Sequence, residues 1–496
     1  MPKHGSPKTK VRLNVPSNYF EDGCEHGFRA KEMKHLKTYG SATLGALLLC
    51  LPSLLGLEGL SPAGQITMGI FLMAGLYWIL EPIPIYATSL LIIFLQVLLL
   101  SDQGFINFDP AVYEVESYQT FYGTLANPII ILFLGGFSLA TAAVKFGLDR
   151  RLTRVLLKPL GTDPKAVCLG MMLSTALLSA FMSNTATTAM MMTMVVPVIM
   201  AMEPGDPFQK GIALSIPVAA NIGGIATPIG SPPNAIAITA LREQGIHITF
   251  STWMILAVPL VIIMLLIAWR ILLLLFPPNG KSIQIDFSEQ FTWSRQAILT
   301  SCIFGITILF WVTEKLHGVS SNVVAFFPLT FLPALGILRK ADIRRYSWEV
   351  LWLVAGGISM GISLKNTGLA EWLIGLIAWN SFGSVGVVLI FVVVAYGIAN
   401  LVSNTVTATL LIPLAIGLGV SGIMGSDFPL VSAIVLIGIV VSFSMILPIS
   451  TPPNAIATST GMVKTKDMAK TGVLIGLIAI VLCCLSYFLY WPLILN

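Results

Sequence analysis

This sequence predicts an all-α polytopic membrane protein, with about eleven transmembrane helices, two re-entrant helical hairpins and inverted-topology repeats. Three observations predict it. The 496 residues are 56% hydrophobic and only 10% charged, a composition outside that of soluble globular domains. Runs such as "ITMGIFLMAGLYWIL" and "WMILAVPLVIIMLLIAWRILLLLF" approach or exceed the roughly 20 apolar residues that cross ~30 Å of hydrocarbon. A Ser-Asn-Thr motif, "FMSNTATTAMM" around Ser183, returns in the second half of the chain as "LVSNTVTATLL" around Ser403.

Residues 1–38 read as a basic cytoplasmic tail. Eight Lys/Arg precede the first span against four acids, which places the N-terminus inside, and no apolar core of a signal peptide is visible. The net charge of +5 is mostly this topological bias, so a nucleic-acid partner is disfavoured. The six cysteines, Cys24, Cys50, Cys168, Cys302, Cys483 and Cys484, lack metal or disulfide spacing. They read as apolar filler.

Residues 39–63 form one extra span, and residues 64–276 and 298–496 form two repeats joined by a cytoplasmic linker at 277–297. The offset that carries Ser183 onto Ser403 also superimposes "TPIGSPPNAIA" (227–237) on "LPISTPPNAIA" (447–457). The separation of Ser183 from Ser231 therefore equals that of Ser403 from Thr451. A shift longer by a single position aligns Gly135-Gly136 with Gly356-Gly357. Charge inverts the copies. Residues 149–165 carry Arg150, Arg151, Arg154, Lys158 and Lys165, whereas the matching 366–386 has no Lys or Arg. Conversely 101–124 is acidic and its counterpart holds Arg339, Lys340, Arg344 and Arg345. Equivalent loops thus lie on opposite faces, with the C-terminus outside.

Segments 166–202 and 386–420 read as hairpins with Ser-Asn-Thr at the tip. Broken backbone at membrane depth is tolerated only where it is buried in protein or lines a cavity. A tip frees carbonyls on one side and amide N–H groups on the other. Carbonyl, hydroxyl and amide oxygens suit hard cations such as sodium, and helix N-termini attract carboxylates. Consecutive prolines bar continuous helix near Ser231 and Thr451, and Gly223, Gly224 and Gly230 permit close backbone approach. The bland alternative is that Ser and Thr merely back-bond to the preceding turn or mediate packing. Duplication at inverted positions favours function, the arrangement of secondary transporters. Gly135-Gly136 and Gly356-Gly357 stay with helix packing, and the Met-rich run after Thr188 with core packing. Glu81 reads as a hinge or cap at a cytoplasmic helix end, and Lys145, Lys365 and Arg270 as snorkelling side chains. The signature motifs contain no His, Asp or Glu, which disfavours proton relay, hydrolysis and an enzyme in general. A channel suits discontinuous inverted hairpins less well than alternating access does.

At these motifs the sequence resembles the divalent anion/sodium symporter family, dicarboxylate transporters with two Ser-Asn-Thr signatures, over roughly Leu36 to Asn496. The resemblance implies a homodimer in the plasma membrane, each protomer with a scaffold domain and a transport domain that moves as an elevator. It implies one sodium site at Ser179, Ser183, Asn184 and Gly230, and a second at Ala399, Val402, Asn404 and Ser450, largely through carbonyls. Substrate carboxylates would touch Asn184, Thr185 and Ser231 on one side and Asn404, Thr405, Thr451 and Pro452 on the other. The pairs "SPP" and "TPP" resemble the bacterial C4-dicarboxylate branch, so sodium-coupled import of succinate, fumarate or malate is expected. A sodium-independent dicarboxylate exchanger or a sulfate transporter on the same architecture is the alternative. Ser179 has Ala399 as its counterpart, so the two cation sites differ in one hydroxyl.

Overall fold

The structure, a computed structural model, describes residues 38–110, 112–280, 282–283, 293–421, 423 and 428–495. Residues 1–37 of the basic tail, with Cys24, and residues 281 and 284–292 of the expected linker lie outside the described residues. Helices are α1 Thr38–Leu55, α2 Pro62–Leu80, α3 Ile85–Leu100, α4 Tyr118–Gly123, α5 Pro128–Lys145, α6 Leu148–Leu157, α7 Pro164–Phe181 and α8 Asn184–Met200. There follow α9 Phe208–Gly223, α10 Pro232–Glu243, α11 Phe250–Leu275, α12 Arg295–Val312, α13 Glu314–His317, α14 Ser321–Val324, α15 Phe326–Ala334 and α16 Lys340–Ile343. The chain closes with α17 Trp348–Asn366, α18 Leu369–Gly375, α19 Gly383–Leu401, α20 Asn404–Val420, α21 Leu430–Val440, α22 Pro452–Ser459, α23 Thr465–Leu485 and α24 Pro492–Leu495. Among the described residues no strand forms, and eight helices are long and apolar enough to cross a membrane. Shorter apolar helices, including α3, α8 and α20, stand between them. The chain is a multi-pass membrane protein.

Local sequence sets these boundaries. Ser61, Asn127 and Asp163 each accept a hydrogen bond from an early helical N–H, and each is followed by Pro at the first helical position. Such a cap stabilises a helix start by about 1 kcal/mol, and proline there forfeits only an N–H that has no helical partner. Helix α7 stops at Phe181 and α8 restarts at Asn184; α19 stops at Leu401 and α20 restarts at Asn404. These breaks fall at matching positions of the two repeats, and the members of each pair pack on one another. The second interruptions are also matched. After α9 a 3-10 turn at Gly224–Ala226 leads to extended Thr227, and after α21 one at Val441–Phe443 precedes extended Leu447. Helix resumes at Pro232 and Pro452. The prolines therefore start helices, and the unwound backbone lies just before them.

The helices form two packing groups. In one, α3 packs on α2 and α17, and α5 on α12, α14 and α15. In the other, the broken helices cross between the halves: α22 packs on α8 and α9, and α10 on α20 and α21. The paired glycines sit at close approaches, where any side chain would collide. A Cβ on Gly135 would come 2.7 Å from Cβ of Ala325, and one on Gly356 would come 2.5 Å from Cβ of Ser89. Lys145 does not simply reach for the interface. Its Nζ donates to Ile337 O at 2.8 Å and pairs with Asp342 at 2.6 Å, tying α5 to the α15–α16 turn. Arg270 lies over the Trp269 ring at 4.6 Å, and Lys365 is exposed.

Candidate functional site

Between the two groups lies a cavity of about 650 Å³, lined on one side by Phe133, Phe137, Val350 and Leu353 and on the other by all four breaks. Each break presents a helix N-terminus. Asn184 and Thr185 open α8, Asn404 and Thr405 open α20, Ser231 and Pro232 open α10, and Thr451 and Pro452 open α22; all eight line the cavity. A helix N-terminus carries up to about +0.5 charge, less at α10 and α22, whose two leading prolines lack N–H groups. Four such termini around one space place partial positive charge on one wall without a buried cation, while Glu81 and Glu349 bring carboxylates to the same lining.

The side chains at these termini divide by role. Ser183 accepts from Ala186 N at 3.3 Å and Ser403 from Val406 N at 3.2 Å, so both serine oxygens cap. Ser231 and Thr451 make no capping bond and are buried. Their hydroxyls therefore remain available for other partners. Asn234 braces the first unwound segment, donating to Gly224 O at 2.9 Å and Thr227 O at 2.8 Å. Asn454 does the same for the second, donating to Leu447 O at 3.0 Å. These bonds satisfy carbonyls that have lost their helical partners.

Behind the first tip an oxygen cluster forms. Ser179, fully buried, donates to Ala220 O at 2.8 Å and lies 2.5 Å from Asn184 Oδ1. That carboxamide oxygen faces acceptors only; with the amide turned over, its nitrogen would instead donate to Gly230 O at 3.0 Å and Ala220 O at 3.3 Å. Three oxygens, Ser179 Oγ, Ala220 O and Gly230 O, thus converge on the Asn184 carboxamide, whose nitrogen satisfies them once the amide is turned over, and uncharged oxygens of this kind are donors that sodium accepts. Glycine makes room. A Cβ on Gly224 would strike the Asn184 carboxamide, and one on Gly230 would come 2.5 Å from Gly224 O.

The second tip is tied differently. Ser450 donates to Asn400 O at 2.9 Å, and Thr405 donates to Asn404 Oδ1 at 3.1 Å. Ala399 is buried and offers no side-chain oxygen, and Val402 lines the cavity. Asn400 and its counterpart in the first repeat, Ala180, both offer a carbonyl to a hydroxyl of the facing loop, Ser450 in one case and Thr227 in the other. All seven residues expected at substrate line the cavity. Of those expected at sodium, Ser183, Asn184, Gly230, Val402 and Asn404 line it, whereas Ser179, Ala399 and Ser450 do not.

The sequence profile of the family described as "Sodium:sulfate symporter transmembrane region" matches residues 42–496. The chain belongs to the sodium:sulfate symporter family. It is 31% identical over 490 residues to a protein of Staphylococcus saprophyticus named sodium-dependent dicarboxylate transporter SdcS, covering 90% of this chain and 91% of that one. The SdcS of Staphylococcus aureus is 29% identical over 474 residues, 87% of each chain. An "uncharacterized transporter" of Haemophilus influenzae is 28% identical over 462 residues, 88% of this chain and 94% of that one. Membership makes this chain a membrane transporter.

Two features of this symporter were not visible as motifs. Asn221, at the end of α9, is 1% exposed, lines the cavity, and donates to Thr451 Oγ1 at 3.1 Å and Asn454 Oδ1 at 3.2 Å. Ser442 approaches Ser231, Oγ to Oγ at 3.5 Å. Polarity alone was the signal, since Asn within an apolar helix is costly unless bonded. Glu81 combines two roles. It ends α2 in the left-handed region, the only non-glycine with positive φ among the described residues (φ 48), and it also lines the cavity together with Glu349.

Proposed function

We propose that this protein imports C4-dicarboxylates, succinate, fumarate or malate, coupled to sodium ions, as a homodimer working by elevator-type alternating access. The observation that carries the reading is the convergence of four helix N-termini from two duplicated breaks on one cavity. Two pairs of N-termini, each beside its own Ser-Asn-Thr, suit two separate carboxylates better than the single centre of sulfate. The relatives named sodium-dependent dicarboxylate transporters support the same choice.

Sodium answers an electrical need. Bringing a dianion inward against 100 mV costs about 4.6 kcal/mol, and two sodium ions cancel that work. The oxygen cluster of Ser179, Asn184, Gly230 and Ala220 would hold one of them. Asn404 with the carbonyls near Val402, Ala399 and Ser450 would hold another. Substrate carboxylates would then accept bonds from Asn184, Thr185 and Ser231 and from Asn404, Thr405 and Thr451, with Pro452 shaping the wall.

The elevator reading rests on the two packing groups. The group holding the breaks meets the other through α17, through α6 between α5 and α7, and through α11 on α12; at α17, Gly357 faces Thr409 so closely that a Cβ would come 2.7 Å from its Cγ2. Small residues at that contact let the two groups approach closely without long interlocking side chains. Under the positive-inside rule Glu81, Ser347 and Glu349 border the cytoplasm, so the cavity they line opens inward. The test is titration of purified protein in proteoliposomes. Thr451→Val raises the succinate concentration for half-maximal uptake about tenfold, the size of one lost hydrogen bond to a charged group, and leaves the sodium midpoint near wild type. Sulfate in tenfold excess leaves succinate uptake standing. An equal shift in both titrations, or full competition by sulfate, would overturn the assignment.

A further inference from the structure

We infer that Asn221 is a positioning residue for anion binding: its carboxamide fixes the Thr451 hydroxyl so that the O–H points at the bound carboxylate. The inference rests on the proposed transport function and adds a residue outside both duplicated motifs. A hydroxyl has one hydrogen to give and two lone pairs to receive. Thr451 Oγ1 receives Asn221 Nδ2 at 3.1 Å, makes no capping bond to its own helix, and meets no acceptor among the described residues. With an N–H seated on one lone pair, the hydrogen is directed elsewhere, and the neighbouring space is the cavity that Thr451 lines.

The orientation of the Asn221 amide is itself dictated by a chain of bonds. Asn454 donates through Nδ2 to Leu447 O at 3.0 Å, which leaves its Oδ1 as an acceptor, and that oxygen receives Asn221 Nδ2 at 3.2 Å. Turning the Asn221 amide over would set two oxygens against each other. Asn221 Oδ1 is buried with no partner among the described residues. A buried polar atom of this kind calls for an explanation, a functional role or an ordered water among them. The brace also crosses the molecule, since Asn221 belongs to the first half and Thr451 to the second, and the weaker approach of Ser442 to Ser231 runs the opposite way.

A double-mutant cycle decides it. Wild type, Asn221→Ala, Thr451→Val and the double variant are reconstituted, and initial uptake is measured against concentration of succinate and, in parallel, of sulfate. Whichever anion the wild type takes up saturably is used for the cycle, so a wrong substrate class is exposed by the wild type alone. Asn221→Ala is expected to raise KM about tenfold with kcat and the sodium midpoint within twofold. On the Thr451→Val background the same substitution is expected to change KM less than twofold. If Asn221→Ala does not fold, Asn221→Ser, which keeps a short polar group, takes its place in the cycle. An equal KM factor in both backgrounds, or an unchanged KM with Thr451 intact, overturns the inference.

Discussion

At the scale of single residues, the proposed cation site at the first tip rests on Ser179 Oγ, Ala220 O and Gly230 O converging on the Asn184 carboxamide. Gly224 is the most sensitive neighbour, since any Cβ there meets the Asn184 carboxamide. Gly224→Ala therefore raises the sodium concentration for half-maximal uptake at least tenfold while the protein still elutes as folded oligomer. An unchanged sodium midpoint would detach Asn184 from the cation. Asn184→Ala and Asn404→Ala each abolish uptake, and wild-type rates in both would refute the tips as the site. The repeat made these residues legible, because each motif vouches for the other. Asn221 escaped for the same reason. Its counterpart in the second repeat is Val441, and the counterpart of Ser442 in the first is Ile222, so a search by duplication passes over both. Only the expense of a polar amide in an apolar helix could have marked them.

At the scale of elements, the breaks were legible and their internal layout was not. The prolines announced an interruption, yet Pro232 and Pro452 occupy first helical turns, where a missing N–H is harmless. The unwinding falls before them, braced by Asn234 and Asn454 side chains whose bonds depend on tertiary approach. Glycine pairs read as packing contacts behave so. Gly356→Leu drives a side chain into Ser89 across α3, a case of overpacking that costs about 1–3 kcal/mol or more. A lowered unfolding temperature in detergent checks it, and an unchanged one would mean the α3–α17 contact is loose. Lys145 illustrates what hydropathy cannot show, since its partner Asp342 is 197 residues away. Burial pushes the Asp342 carboxyl up, but the Lys145 hydrogen bond, the Arg339 amide and the charges of Lys145 and Arg345 together hold it below the usual range. A depressed carboxylate stabilises the fold above its unfolded value near ~3.9 and loses that contribution as pH falls through the folded value. Unfolding temperature thus stays independent of this pair between pH 5 and 7, and Asp342→Asn costs about 1 kcal/mol or less there. A strong loss already at pH 6 would point to another group.

At the scale of the whole molecule, matched breaks in the two halves let one chain line a cavity from two sides. Helix α10 packs with the second half's α20 and α21, and α22 with the first half's α8 and α9, so neither half can complete the cavity alone. Composition and the constant offset between the repeats conveyed the helical membrane class and the matched breaks; which helix crosses to which partner depended on packing that no periodicity encodes. Loop charge predicts an orientation. Single cysteines placed in 101–110 or 112–117 label from outside, and those in 339–347 label only after permeabilisation; the reverse pattern would overturn the inward-open reading of the cavity. The central claim, that neutral donors and bound cations together carry a dianion, is tested most directly by succinate uptake into proteoliposomes holding the wild-type protein under an inward sodium gradient, compared with choline. The account predicts saturable accumulation above the external concentration in sodium and none in choline. Equal uptake in both, or uptake only in exchange for internal diacid, would contradict it.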